Sequence, residues 1–184
     1  MQSEPRPRLV HLETTDAAVA VGFIAVCGEH IHRTAGLDHW YPLQHLDLLS
    51  DRFERSRLFG IRADDLLVGI FSLTDEPLPY YGDLSAFRLP AGEPRYLSGL
   101  AVLPSHQRAG VGHYAMKQAE RVVRESGGDA IRFDAVTTNT PAVDFYRRLG
   151  YAEGGVIPVG HLTVTCFERL LDLDGASGGI DEPG

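Results

Sequence analysis

The chain has 184 residues, 43% of them hydrophobic and 23% charged, a composition that fits one ordinary globular domain and excludes disordered, collagenous and low-complexity classes. Seventeen Lys and Arg against 25 Asp and Glu leave a formal net charge of -8, so broad electrostatic attraction to nucleic acid or an anionic membrane is not expected, and a cationic partner suits the chain better. Cys27 and Cys166 lie far apart among apolar neighbours, without Cys-x-x-Cys or Cys/His ligand spacing. They read as small core residues in a reduced compartment, with no disulfide framework and no metal site. Residues 1–8 lack the apolar core of a signal peptide and no run approaches 18 apolar residues, so a cytoplasmic location is expected.

In chain order, the pattern predicts a strand over residues 8–14 and then a helix over 17–30, with Asp16 as N-cap and Val19, Ala20, Phe23, Ile24 and Cys27 on its inward face. Residues 30–42 gather His30, His32, His39 and the single tryptophan, Trp40, while Gly36 and Pro42 argue against one unbroken helix. A second helix is predicted over 43–53. Residues 58–62 and 66–73 read as a hairpin turning at Ala63-Asp64-Asp65, and 75–94 as a long loop. A buried strand over 96–102 stops before Pro104. The helix predicted over 111–125 buries Val111, Tyr114, Ala115, Ala119, Val122 and Val123 and stops at Gly127-Gly128.

A strand over 131–137 follows, then a short helix with cap chemistry at Thr140-Pro141 and a left-handed stop at Gly150. One or two strands, at Val156-Ile157 and 161–169, close the fold. A single domain over 1–171 is expected, with a flexible Gly- and Asp-rich tail over 172–184. Strands and helices mixed in this way specify an α/β sandwich on a mixed sheet.

Chemistry concentrates in Val102-Leu-Pro-Ser-His-Gln107-Arg108-Ala109-Gly110-Val111-Gly112-His113, where a strand hands over to a helix through two glycines. The first amides of a helix have no intrahelical acceptor and sit at the positive end of its dipole, so they suit a diphosphate. Glycine at 110 and 112 lets phosphate oxygens approach without meeting a side chain. No Gly-Lys-Ser/Thr makes this a P-loop, and no acidic residue about twenty positions on ends a following strand as in a dinucleotide site.

About thirty residues on comes Asp134-Ala-Val-Thr-Thr-Asn139-Thr-Pro-Ala142-Val-Asp-Phe145-Tyr146-Arg-Arg-Leu-Gly150-Tyr151. With this second segment the sequence resembles the GNAT superfamily of acyl-CoA-dependent N-acyltransferases. The resemblance is strong over 96–151 and fair over 58–73 and the closing strand; before 58 only the element order agrees. It implies a mixed, mostly antiparallel central sheet of six to seven strands flanked by about four helices, and acetyl-CoA as acyl donor.

By the same resemblance, the main chain of Leu100, Ala101 and Val102 holds the pantetheine arm and residues Gln107, Arg108, Ala109, Gly110, Val111, Gly112 and His113 hold the diphosphate. Asn139, with Ala142 and Phe145, lies along the arm, and Tyr146, seven residues or about 10 Å further along the helix, stands at the thioester sulfur. Each has an ordinary structural role as competitor: Asn139 as a helix cap, Tyr146 as a core aromatic, Arg108 as a solvated charge. The position before Leu100, where the family often carries a glutamate, is Gly99 here. Asp134 is therefore the candidate base, or else a carboxylate that orders the end of the sheet.

The acceptor site falls in the parts that the resemblance determines least. Trp40, Tyr41, Tyr80 and Tyr81, near Asp75, Glu76 and Asp83, have the chemistry to hold an ammonium-bearing small molecule by cation–π and charge attraction. The leading expectation is N-acetylation of a small primary amine by direct attack in a ternary complex. Protein N-terminal or lysine acetylation and a non-catalytic acyl-CoA-binding module are the alternatives, and a homodimer is common among relatives.

Overall fold

The computed structural model describes residues 7–41, 53 and 55–172. Seven strands are joined in one sheet: β1 (Arg8–Leu12), β2 (Arg57–Ala63), β3 (Leu66–Thr74), β4 (Pro94–Val102), β5 (Ala130–Val136), β6 (Ala152–Val159) and β7 (Leu162–Leu170), in the spatial order β1-β2-β3-β4-β5-β7-β6. All neighbours are antiparallel except β4 and β5. Among the described residues three helices flank it: α1 (Ala17–Ala35), α2 (Val111–Glu125) and α3 (Thr140–Arg148). The helix expected over 43–53 lies outside the described residues apart from Phe53, and so does the expected tail beyond Asp172.

Alternation of side chains divides the molecule into two layers around the sheet. On one face, Phe59, Phe71, Ile131, Phe133 and Phe167 pack against α2 and α3. On the other, Leu58, Ile70 and Ala101 meet α1, while Tyr96 and Cys166 are covered by the loop over residues 75–93. Cys27 and Cys166 are both buried, and burial pushes each thiol up to about 12, so neither is a reactive thiolate.

Several local expectations change. α1 runs on past His30 to Ala35 and stops where Gly36 takes φ +66 and its N–H bonds back to the His32 carbonyl. Asp16 stands at the N-cap position of α1 as expected, but its carboxylate makes no capping bond to the helix and accepts instead from the Glu13 amide at 3.0 Å, closing the 3-10 turn over Thr14–Asp16. Val19 is 54% exposed; the buried stripe runs through Ala20, Phe23, Ile24 and Cys27. The cap of α3 is Asn139, whose side chain accepts from the Ala142 amide at 3.4 Å, not Thr140. α2 also buries Met116 and Glu120, the latter because Tyr151 and Arg169 donate to its carboxylate, each at 2.6 Å.

Candidate functional site

β4 and β5 pair only over Pro94–Tyr96 and Ala130–Arg132, and beyond Tyr96 and Arg132 no pairing joins them. On its other edge β4 stays with β3, Ala101 opposite Ile70 and Val102 opposite Gly69, and the Leu103 amide bonds the Val68 carbonyl at 2.9 Å. Main-chain groups alternate between the two edges of a strand. The Leu103 amide and the Ala101 main chain therefore turn toward β3, which aims those of Leu100 and Val102 into the gap toward β5. Of the three strand residues expected to hold an arm, Leu100 and Val102 are available to do so, whereas Ala101 is committed to the sheet. The Val102 carbonyl accepts from the Gln107 amide group at 3.3 Å and from the Cys27 thiol at 3.6 Å.

A bulge sets this geometry, because Gly99 and Leu100 together face Phe71 between the pairs Ser98–Ser72 and Ala101–Ile70. Gly99 has φ +61, and a Cβ there would stand 3.1 Å from the Phe53 ring. Both facts disfavour any larger residue, which explains physically why no glutamate occupies that position in this chain.

At the open end of the gap, α2 starts from Gly110 at φ +81, and its first ladder bond runs from the Tyr114 amide to the Gly110 carbonyl at 2.9 Å. The amides of Val111, Gly112 and His113 precede that bond and have no helical acceptor. Gln107, Arg108, Ala109 and Gly110 are exposed, Arg108 at φ +63. The two glycines do different work: a Cβ on Gly110 would meet nothing within 4 Å, whereas one on Gly112 would stand 3.3 Å from the Phe145 ring of α3. Gly110 supplies the turn and Gly112 the close helix–helix approach. An unpaired strand edge, a first helical turn with free amides and an open-sided glycine fit an acyl-CoA thioester with its diphosphate.

Tyr146 lies against the face of β5 that carries Phe133, with ring centroids 4.5 Å apart, and is ringed also by Phe145, Tyr151 and Phe167. Its hydroxyl has no hydrogen-bond partner among the described residues. Burial, with the Asp134 charge nearby, raises its pKa well above the ordinary tyrosine value. Asp134 is the next residue of β5 and so points to the opposite face, where Cys166 is its register partner on β7. Tyr80 and Tyr81, in a 3-10 turn over Pro79–Tyr81, donate to the same carboxylate oxygen, Oδ2, at 2.7 and 2.6 Å. Burial and the Asp134 charge hold the Tyr81 proton well above its usual pKa, so it remains a donor.

The four aromatics expected at the acceptor site thus divide. Tyr80 and Tyr81 meet Asp134, Tyr81 being only 3% exposed, while Trp40 and Tyr41 pack on α1. The Trp40 carbonyl lies so close to Gly28 that a Cβ there would clash with it, and the Tyr41 ring stacks on His32 at 4.3 Å. The segment bearing Trp40 also reaches the β6–β7 turn, where His161 Nε2 lies 3.3 Å from Asp38 Oδ1 and holds the Asp38 carboxyl below its usual range. Neither Asp38 nor His161 was among the expected site residues; 123 residues separate them and no local pattern links them.

The profile of the Acetyltransferase (GNAT) family matches residues 16–151, from α1 to the residue before β6. The chain belongs to the GNAT acetyltransferase family. Acetyl-CoA is the acyl donor of that family, and the seven-stranded, mostly antiparallel sheet of this GNAT protein falls within the six to seven strands expected, with three of the about four expected helices among the described residues. Over 60 residues it is 32% identical to streptothricin acetyltransferase of Streptomyces lavendulae, covering 33% of this chain and 32% of that relative's length. The solved structure of YncA from Salmonella typhimurium with its cofactor acetyl-CoA superimposes with a TM-score of 0.63 at 15% identity, over 91% of this chain and 95% of that one. The PaiA N-acetyltransferase of Thermoplasma acidophilum, solved in complex with coenzyme A, gives 0.65 at 14% identity, over 89% and 99%. At those identities the likeness speaks for the fold. No described helix is long and apolar enough to cross a membrane.

Proposed function

We propose that this GNAT protein moves the acetyl group of acetyl-CoA to a primary amine of a small cationic molecule, by direct attack while both are bound. The observation that carries the proposal is the parting of β4 from β5 beyond Tyr96 and Arg132, with Tyr146 against one face of β5 and Asp134 on the other. Donor and acceptor then approach one gap from opposite sides of the sheet. The small-molecule acceptor is favoured by the name of the streptothricin acetyltransferase relative, and a cationic one by the net charge of -8.

Bound acetyl-CoA supplies an activated acyl group as a thioester. Leu100 and Val102 hold its arm through main-chain groups, and the amides of Val111, Gly112 and His113, with Arg108, hold its diphosphate. The Val102 or Leu100 amide meets the charge that develops on the carbonyl oxygen. Tyr146 donates to the departing sulfur; its raised pKa keeps the proton on oxygen until the thiolate forms, so it acts as a hydrogen-bond donor with late transfer. Asp134, oriented by Tyr80 and Tyr81, attracts the ammonium and takes its proton directly or through water.

Thiol release from acetyl-CoA by the full chain, against a panel of diamines, amino acids and peptides, tests this reading. Turnover with small amines is expected. Turnover with peptides alone would move the acceptor to protein, and acetyl-CoA binding with no turnover on any amine would remove the catalytic reading.

A further inference from the structure

One polar row crosses the face of the sheet that carries Asp134. β4 and β5 last pair at Tyr96 and Arg132, whose side chains both meet Phe87 and so share that face. Two residues further along each strand come Ser98 and Asp134, on the same face and at the same level. Ser72 of β3 is the register partner of Ser98, and Cys166 of β7 that of Asp134. The row therefore reads Ser72, Ser98, Asp134, Cys166 across four strands. β4 and β5 have parted at this level, so Ser98 and Asp134 stand on opposite banks of the opening.

The two serines are buried, Ser72 at 0% and Ser98 at 7% exposure, and their hydroxyl oxygens lie 2.7 Å apart. Ser72 Oγ also lies 3.2 Å from the Ser98 carbonyl. One arrangement places both protons: Ser98 donates to Ser72 Oγ, and Ser72 donates to the Ser98 carbonyl. Ser98 Oγ then has only lone pairs to offer, so Ser72 makes it an acceptor. Stability does not call for such a pair. Replacing two mutually bonded buried groups by apolar ones of the same shape is close to neutral, and the neighbours Phe71, Leu73 and Leu97 are apolar.

The reaction across the opening does call for an acceptor. An ammonium that loses one proton to Asp134 keeps two N–H bonds and a lone pair, and the pair must point at the thioester carbon. One contact leaves the nitrogen able to turn, whereas a second fixes its direction. We propose that Ser98, oriented by Ser72, accepts an N–H of the substrate amine across the gap from Asp134 and so aims the attacking lone pair. Ser72 acts through Ser98 and is a positioning residue. The inference rests on the reading of Asp134 as the group that takes the proton of the amine.

Steady-state kinetics of the full chain with acetyl-CoA and its best small amine tests this, on the wild type, Ser98→Ala, Ser98→Thr, Ser72→Ala and Asp134→Asn. Ser98→Ala removes one oxygen and leaves the Ser72 hydroxyl its bond to the residue 98 carbonyl, so urea unfolding should match the wild type. Its kcat/KM for the amine should fall about 10- to 100-fold, with the KM for acetyl-CoA unchanged. Ser72→Ala, which leaves the Ser98 proton without its acceptor, should cost about 3- to 10-fold. Ser98→Thr keeps the hydroxyl and should retain more activity than Ser98→Ala. Wild-type kinetics in Ser98→Ala, beside an impaired Asp134→Asn, overturns the proposal and leaves Asp134 as the base. A loss in Ser98→Ala that comes with lost stability or a raised KM for acetyl-CoA assigns the serines to the sheet and also overturns it. Wild-type kinetics in Asp134→Asn, or no amine turnover by the wild type, brings down the earlier reading and this inference together.

Discussion

Tyr146 is enclosed by Phe133, Phe145, Tyr151 and Phe167, and its protonation follows from that enclosure. Desolvation disfavours the phenolate and the Asp134 charge disfavours it further, so the folded pKa stands above the unfolded value near 10. The donor form is thus fully present through the neutral and mildly alkaline range. We expect Tyr146→Phe to lower kcat by about 100-fold while calorimetry shows acetyl-CoA binding unchanged. The wild-type kcat profile should show no loss with rising pH up to about 10. A fall in that range that disappears in the Phe variant would show Tyr146 titrating there and contradict its buried state. The spacing of Asn139 and Tyr146 was readable because a helix fixes it. The attachment of Tyr80 and Tyr81 to Asp134 was not, because it spans more than fifty residues through a loop whose path no periodicity dictates.

Helix α2 and helix α3 touch where Gly112 meets Phe145, and Gly110 and Gly112, two residues apart, can be told apart by substitution. Gly112→Ala places a methyl at 3.3 Å from the Phe145 ring and should cost about 1 kcal/mol in urea unfolding, most of it recovered when Phe145→Leu is added. Gly110→Ala should cost about 1 kcal/mol as well, through its φ of +81, and Phe145→Leu should recover none of it. Equal rescue of both variants would mean that the two glycines share one role. The sequence placed both glycines at the mouth of the helix. Only the packing of α3 on α2 assigned one to the backbone turn and the other to a neighbour. The capping bond from the Ala142 amide to the Asn139 side chain, by contrast, is local to α3.

Across the whole molecule, the loop over 75–93 is fastened to the sheet by one buried ion pair. Glu168 on β7 is 1% exposed; its Oε2 lies 3.3 Å from Arg132 Nε, and its Oε1 accepts from the Leu89 amide at 2.9 Å and from the Arg88 amide. Arg132 in turn donates to the Leu89 carbonyl at 2.8 Å and stands over the Phe87 ring at 5.0 Å. The Gly155 amide bonds Ala86, tying the loop to β6 as well. The loop carries Tyr80 and Tyr81, so this anchor also positions Asp134. Glu168→Ala leaves Arg132 buried without its counter-charge and should cost about 3–5 kcal/mol, with faster proteolytic cleavage inside 75–93; Glu168→Gln, which keeps an acceptor for the two amides, should cost less. Wild-type stability in the Ala variant would show that apolar packing alone holds the loop.

From the sequence alone came the order of strands and helices, the strand-to-helix turn at Gly110, and the spacing from Asn139 to Tyr146. All of these rest on short-range rules: side-chain period, capping chemistry and the conformational freedom of glycine. Tertiary structure decided which edges of the sheet pair and which part, that Leu100 and Val102 but not Ala101 face the gap, and that Tyr80, Tyr81 and Asp134 form one cluster. Those depend on strand register and on the path of a long loop. Both are set by burial summed over the whole sheet, which no local window of residues contains.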